Sequence, residues 1–317
     1  MATAVQVRHQ ARLFDKAGDR IARLATLIFA ALIVLAAVLI VHVLWVDSSP
    51  ARHALGWRFL TSSEWDPVTE KFGGLPFIYG TVVTSVLALL ISVPLGVGSA
   101  IFLSELAPPR LSGTLTFLVE LLAAIPSVIY GLLAIFTLVP LMRIDVEPFL
   151  RSTLGFLPLF QGLAYGVGML TAGVILAVMT FPFIISVSRE SLLAVPREQR
   201  EAALALGATK WEMTWDVVVP YARLGILGSI FLGLARALGE TMAVTMVIGN
   251  SAAIHASLFA PGHTIAAVIA NEFTEATGDV YRGVLIELGL VLFCLTIILN
   301  GAARLMIIAT TGKGARR

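Results

Sequence analysis

Charge is what this sequence has least of. Only 13% of its 317 residues are Asp, Glu, Lys or Arg, about half the share of an average soluble domain. That excludes a chain surrounded by water along its whole length. Cysteine is nearly missing as well: Cys294 stands alone, so no intramolecular disulfide can form. Its place within an apolar segment reads as a buried, inert thiol. His42, His255 and His263 have no neighbouring ligand set, and no metal site is expected. No Ser/His pair, metal-ligand cluster or carboxylate dyad stands at catalytic spacing, so the chain is not read as an enzyme. A P-loop is also missing. The only Gly-Lys pair, Gly312-Lys313, has Ile307 where the first glycine belongs and Gly314 where Ser or Thr should follow. No internal repeat of short fixed period is evident.

What the chain has in abundance is long apolar runs. Hydrophobic residues make up 58% and the mean hydropathy is +0.91. They arrive in six blocks, 24–46, 77–104, 113–141, 166–188, 223–249 and 282–308. Each approaches or exceeds the roughly 20 residues a helix needs to cross about 30 Å of hydrocarbon. Backbone groups there find no water, so each block is read as a helix. The fold class is therefore an all-α polytopic membrane protein. The first block is too long for a signal-peptide core, and Trp45-Val46-Asp47 lacks a small-residue cleavage site, so it reads as a retained helix.

Positive charge sets the orientation. Fifteen Lys and Arg fall in the tail 1–23, between the second and third blocks, in the loop 189–222 with Arg223, and at the chain's end. The opposite side holds six, and the loop 250–280 holds none. Both termini are expected in the cytoplasm. The organisation expected is then a tail 1–23, a first span 24–46, an outer loop 47–76, a core 77–308 and a tail 309–317. The net charge of +2 reflects this topology and gives no sign of nucleic acid. The outer loop reads as turns with a short helix. The segment 142–165 is apolar but broken by Gly155 and Pro158, and reads as re-entrant or interfacial. Pro94, Pro126 and Pro182 fall inside blocks, where kinks are expected.

The loop 189–222 has the clearest local grammar. Pro196 sits at a favoured helix start, strong helix formers follow to Leu206, and Gly207 supplies the left-handed residue that ends the helix. Thr209 and Glu212 have the spacing of a capping box, so a second short helix is expected, closed by Pro220. The bland reading is a well-capped connector. Against it, Ala202, Ala203 and Ala205 make a small face that another protein could approach closely.

Glu201-Ala202-Ala203, three residues, Gly207, nine residues, then Val217-x-Val219-Pro220 resembles the EAA loop of ABC-importer permeases. Every spacing agrees, with valine at the two aliphatic positions. The stretches 120–136, 181–196, 236–250 and 284–300 are similar to phosphate-transport permeases, and "GETMAV" is nearer to one of that system's two sister permeases than to the other. The resemblance implies a type I importer fold of six spans, with Glu201, Ala202, Ala203 and Gly207 coupling to a separate ATPase. It also implies a PstA-like sister permease, a PstB-like ATPase dimer carrying the ATP and magnesium, and a PstS-like phosphate-binding protein. This chain itself would bind no cofactor. Permeases for sulfate or molybdate share the loop and are the nearest alternative. A passive anion channel would leave the loop unexplained.

Arg236 and Glu240 remain to be placed. On the boundaries above, Arg236 lies about 13 residues into its helix, roughly 20 Å deep, and the four-residue spacing puts both charges on one face. An arginine there costs about 2.5–3.5 kcal/mol even on a mild insertion scale, so lipid is not its neighbour. One reading is an ion pair that fixes packing. The other is an anion path, in which Arg236 meets the anion through its planar fork and Glu240 holds it poised when the path is empty. Permeases of the resembling family are thought to use these positions so. Thr241, Ser127 and Tyr130 offer further hydrogen bonds, and Glu120 a further carboxylate. Glu287 also lies within a block; both it and Glu120 admit structural and functional readings alike.

Overall fold

The computed structural model describes residues 2–311. Gly312, Lys313 and the rest of the tail beyond Thr311 lie outside the described residues. Six described helices are long and apolar enough to cross a membrane: Asp19–Asp47, Leu75–Leu106, Ser127–Leu154, Met169–Leu193, Lys210–Gly239 and Asp279–Ala302. They make the chain a multi-pass membrane protein. The number agrees with the sequence reading; several boundaries do not.

The expected third span, 113–141, is interrupted. A helix Pro109–Ala124 ends at Ile125 and a new one starts at Ser127. Pro126 has no N–H to give and pushes Ile125 into extended backbone. The span is instead Ser127–Leu154, so the first half of 142–165 is helix rather than a re-entrant segment. A short turn at Pro158–Phe160 follows. Pro94 and Pro182, by contrast, stay inside unbroken helices.

The fifth span is displaced as a whole. It begins at Lys210 and ends at Gly239, so 240–249 is not part of it and only Met242–Thr245 forms a further turn. The separate second helix of the loop, closed by Pro220, is likewise absent. Lys210 runs directly into the span through a π-helical stretch, Met213–Val218. The wider turn there absorbs a proline that cannot continue the ordinary hydrogen-bond ladder.

The second and fourth spans form the bundle's centre. They approach closely because Gly96 faces Ile184 and Gly173 faces Leu87. A buried cluster around Tyr130, Leu176, Met179, Ala237, Val244 and Ile248 joins the third, fourth and fifth spans. The irregular segment after the fifth span folds back over this cluster. Its carbonyls of Val247, Leu258 and Ala260 accept from the backbone N–H groups of Gly168, Leu170 and Met169 at the start of the fourth span. Those are among the donors a helix cannot satisfy itself.

At the far end, residues 47–76 form two short helices and a two-residue antiparallel pair, Trp65–Asp66 with Lys71–Phe72. Trp65 packs edge-on against Phe72 and Phe77, at 5.1 and 4.6 Å between centroids. Its indole N–H donates to Glu272 at 3.1 Å, and Tyr281 donates to the same carboxylate oxygen at 2.6 Å.

The close approach at Gly96 yields a paired prediction. A Cβ there would lie 2.7 Å from Ile184 Cγ2, whereas one at Gly98 meets nothing within 4 Å. Gly96→Ala should destabilise the protein by about 1–3 kcal/mol, and Gly98→Ala should not. Thermal unfolding of the two detergent-solubilised variants, side by side, checks this.

Candidate functional site

Two regions carry the residues singled out in the sequence, and the fifth span connects them. The first is the elbow between the fourth and fifth spans. Its helix, Arg197–Ala205, begins after Pro196, which sits one residue before the helix rather than within it. Gly207 has φ +91°, a conformation that favours glycine, and it ends the helix as its position in the sequence predicts. The capping box forms in both directions. Glu212 N–H donates to Thr209 Oγ1 at 3.2 Å, and Thr209 N–H donates to Glu212 Oε2 at 2.8 Å. Glu201 and Ala202 are exposed, while Ala203 turns inward against the cluster of Ile101, Leu192, Met213 and Val218.

Arg200 holds the elbow to the bundle. Its guanidinium makes a two-pronged contact with Glu105, at 2.9 and 3.2 Å, and also donates to the carbonyls of Leu192 and Val195. The Glu105 side chain is 5% exposed and that of Arg200 17%. This pair escaped the sequence reading because its members stand 95 residues apart. An acid at the end of one span, on the side where basic loops gather, was the available signal.

The second region lies where two helix interruptions meet. The helix that begins after the break at Ile125–Pro126 packs against the short helix Met242–Thr245 that follows the break at Gly239–Thr241. Gly131 sits against Ala243, whose Cα would be 3.1 Å from an added Cβ. Tyr130 is buried, and its hydroxyl donates to the Leu122 carbonyl at 2.8 Å, tying the two sides of the first break together.

Arg236 lies beside this junction in the last turn of its helix, about 39 Å along from Lys210 and not midway as the sequence suggested. A cation near a helix C-terminus is favoured by the dipole. Its guanidinium covers the ring of Phe183, 4.3 Å from the centroid. The Nε is buried with no hydrogen-bond partner, and no carboxylate lies within 4 Å among the described residues.

Of the two readings of Arg236, the ion pair with Glu240 is not formed. Glu240 has left the helix, with ψ 130°, so the four-residue spacing no longer places the two on one face. Its Oε1 instead accepts from Ala243 N–H at 3.4 Å. Thr241 is half-buried and donates to the Gly239 carbonyl at 3.3 Å. Ser127 is half-buried at the start of its helix. Glu120 is exposed and is not brought to Arg236. Phe183 is the neighbour that sequence reasoning missed; nothing in the fourth span sets it apart from other apolar residues.

No group of three or more potential metal ligands occurs among the described residues. His263 is packed edge-on against Phe77 at 5.4 Å, and its burial pushes it down to about 4. What the site presents is a fixed, half-buried cation at the junction.

Comparison with known proteins identifies the family. Residues 92–307 match the model of the "binding-protein-dependent transport system inner membrane component". A phosphate transport system permease protein PstC of Mesorhizobium japonicum is 51% identical over 83% of this chain and 82% of its own. PstC of Haemophilus influenzae is 48% identical over 89% and 90%. Mycobacterium tuberculosis PstC 2 is 41% identical over 90% and 91%. Among solved structures, an inward-facing MetNI methionine ABC transporter aligns at a TM-score of 0.55 and 18% identity, over 78% of this chain and 99% of that one. This last likeness concerns the fold alone.

The buried pair at the elbow generates its own prediction. Glu105→Gln removes the charge that holds Arg200, so amide exchange across 197–205 should accelerate by at least about tenfold, equivalent to about 1.4 kcal/mol. Glu198→Gln, at an exposed position on the same helix, should leave it unchanged. Hydrogen–deuterium exchange with peptide-level readout measures both.

Proposed function

The chain belongs to the binding-protein-dependent transport system inner membrane components, and from that premise we propose that it is one permease half of an ATP-driven importer of inorganic phosphate. The relatives above are named as phosphate transport permeases and cover more than four fifths of the chain. The observation that carries the reading is Arg236: a half-buried cation at the junction of two broken helices, without a carboxylate partner among the described residues.

Phe183 takes one face of the guanidinium. The attraction between cation and ring holds its plane, and its terminal Nη1 and Nη2 groups, which make no hydrogen bond among the described residues, stay free for the parallel hydrogen bonds a phosphate oxyanion accepts. Ser127, Tyr130 and Thr241 stand along the same junction; Tyr130 and Thr241 give their single hydroxyl protons to the Leu122 and Gly239 carbonyls, which leaves Ser127 as the uncharged group free to donate. Glu240 shapes the turn that follows Arg236, and Glu120 is exposed away from it.

Energy has to come from outside the chain. Moving a divalent anion into an inside-negative cell costs on the order of 4–5 kcal/mol per 100 mV before any concentration gradient, and the sequence contains no P-loop. In this reading the exposed Glu201, Ala202 and Gly207 dock on a PstB-like ATPase, while Ala203 seats their helix on the core. A PstA-like sister permease closes the other half of the path, and a PstS-like protein delivers phosphate at the end remote from the elbow. The fifth span carries the elbow at one end and Arg236 at the other. Closure of the ATPases would move both together.

Arg236→Met should reduce ATP-dependent phosphate uptake to background while the complex still assembles and hydrolyses ATP. Glu240→Gln, which keeps an oxygen acceptor for Ala243, should retain most uptake. Reconstituted vesicles with labelled phosphate and a parallel ATPase assay decide it; normal uptake by Arg236→Met would sink the assignment.

A further inference from the structure

At the end of the bundle away from the elbow, a cavity of about 520 Å³ opens between the first span, the helix Ser49–Leu55 and the sixth span. It is of a size that holds small ligands. Most of its wall is apolar, including Val291, Cys294 and Ile298, but Arg52 and Glu287 also line it. Glu287 is 7% exposed, and its Oε2 is buried without a hydrogen-bond partner among the described residues. A carboxylate oxygen left so is costly unless something donates to it.

Arg52 is only half-committed. Its guanidinium lies over the Trp45 ring, 3.8 Å from the centroid, and donates to Ser48 Oγ at 3.0 Å and to the Trp45 carbonyl. Those bonds use two of five N–H groups, and no carboxylate stands within 4 Å of it among the described residues. Trp45 and Trp57 are exposed beside it, as aromatic side chains are at the level of lipid headgroups. From Glu287 to Ile298 the sixth span extends about 16 Å, presenting an apolar track.

A cation with free donors, a buried anion without a donor and an apolar track together complement a zwitterion with a hydrocarbon tail. We propose that this cavity binds a phospholipid with a primary-ammonium headgroup. The lipid phosphate accepts from Arg52, the ammonium donates to Glu287, and one acyl chain lies along Val291, Cys294 and Ile298. An apolar helix from another subunit would fill the track but leave Glu287 without a donor. A choline headgroup carries the same charge and has no N–H to offer.

The test uses the purified transporter with its partner subunits, incubated with equal amounts of phosphatidylethanolamine and phosphatidylcholine of identical chains and weighed by native mass spectrometry. The wild type should retain the ethanolamine lipid at least about tenfold over the choline lipid, the value of one charge-assisted hydrogen bond. Glu287→Gln should abolish the preference, and Arg52→Gln should weaken retention of both lipids. Equal retention by the wild type, no retention, or an unchanged preference in Glu287→Gln would overturn the proposal. Should Glu287→Gln fail to assemble, the wild-type competition still decides it. Cys294→Phe, which obstructs the acyl track without touching either charge, should then lower ethanolamine-lipid retention.

Discussion

Hydrocarbon offers no hydrogen bonds, so each interruption of a helix in this bundle has to be answered by another part of the chain. Two interruptions lie close together here. The helix after the break at Ile125–Pro126 packs on the one after the break at Gly239–Thr241, and Gly131 lets the two backbones approach. Tyr130 returns a hydrogen bond to Leu122 across the first break. The irregular backbone that follows the second is paired with the first N–H groups of the fourth span. Non-helical backbone at membrane depth is tolerated where protein buries it, and such places are where a path can pass.

That arrangement also explains how a cation is kept beside the junction. Arg236 sits where its own helix ends, with Phe183 against one face and no acid to neutralise it among the described residues. The same helix starts at the elbow, about 39 Å away at Lys210. At that end Arg200 and Glu105 fasten the elbow to the second span. The elbow is therefore bound to three spans of the core, by covalent continuity to the fourth and fifth and by a buried ion pair to the second.

Much of this was legible in the sequence because it rests on local chemistry. Gly207, Thr209 and Glu212 do what their types do at a helix end and a helix start. Six spans follow from six apolar blocks. What could not be read is what distant residues decide. Pro126 breaks its helix while Pro94 and Pro182 do not, and the three prolines look alike in apolar surroundings. The end of the fifth span at Gly239 is invisible in a run that stays apolar to Val247. So the inference that Arg236 and Glu240 share one face, built on an unbroken helix, failed with that assumption. Arg200 and Glu105 met only through folding.

The central claim is that this chain forms half of a phosphate path driven by ATP. Labelled phosphate uptake into vesicles containing the chain and its partner subunits, with sulfate and molybdate as competitors, tests it most directly. ATP-dependent uptake that resists both competitors is the predicted result. Uptake blocked by sulfate or molybdate would contradict the substrate, and uptake that persists without ATP would contradict the coupling as well.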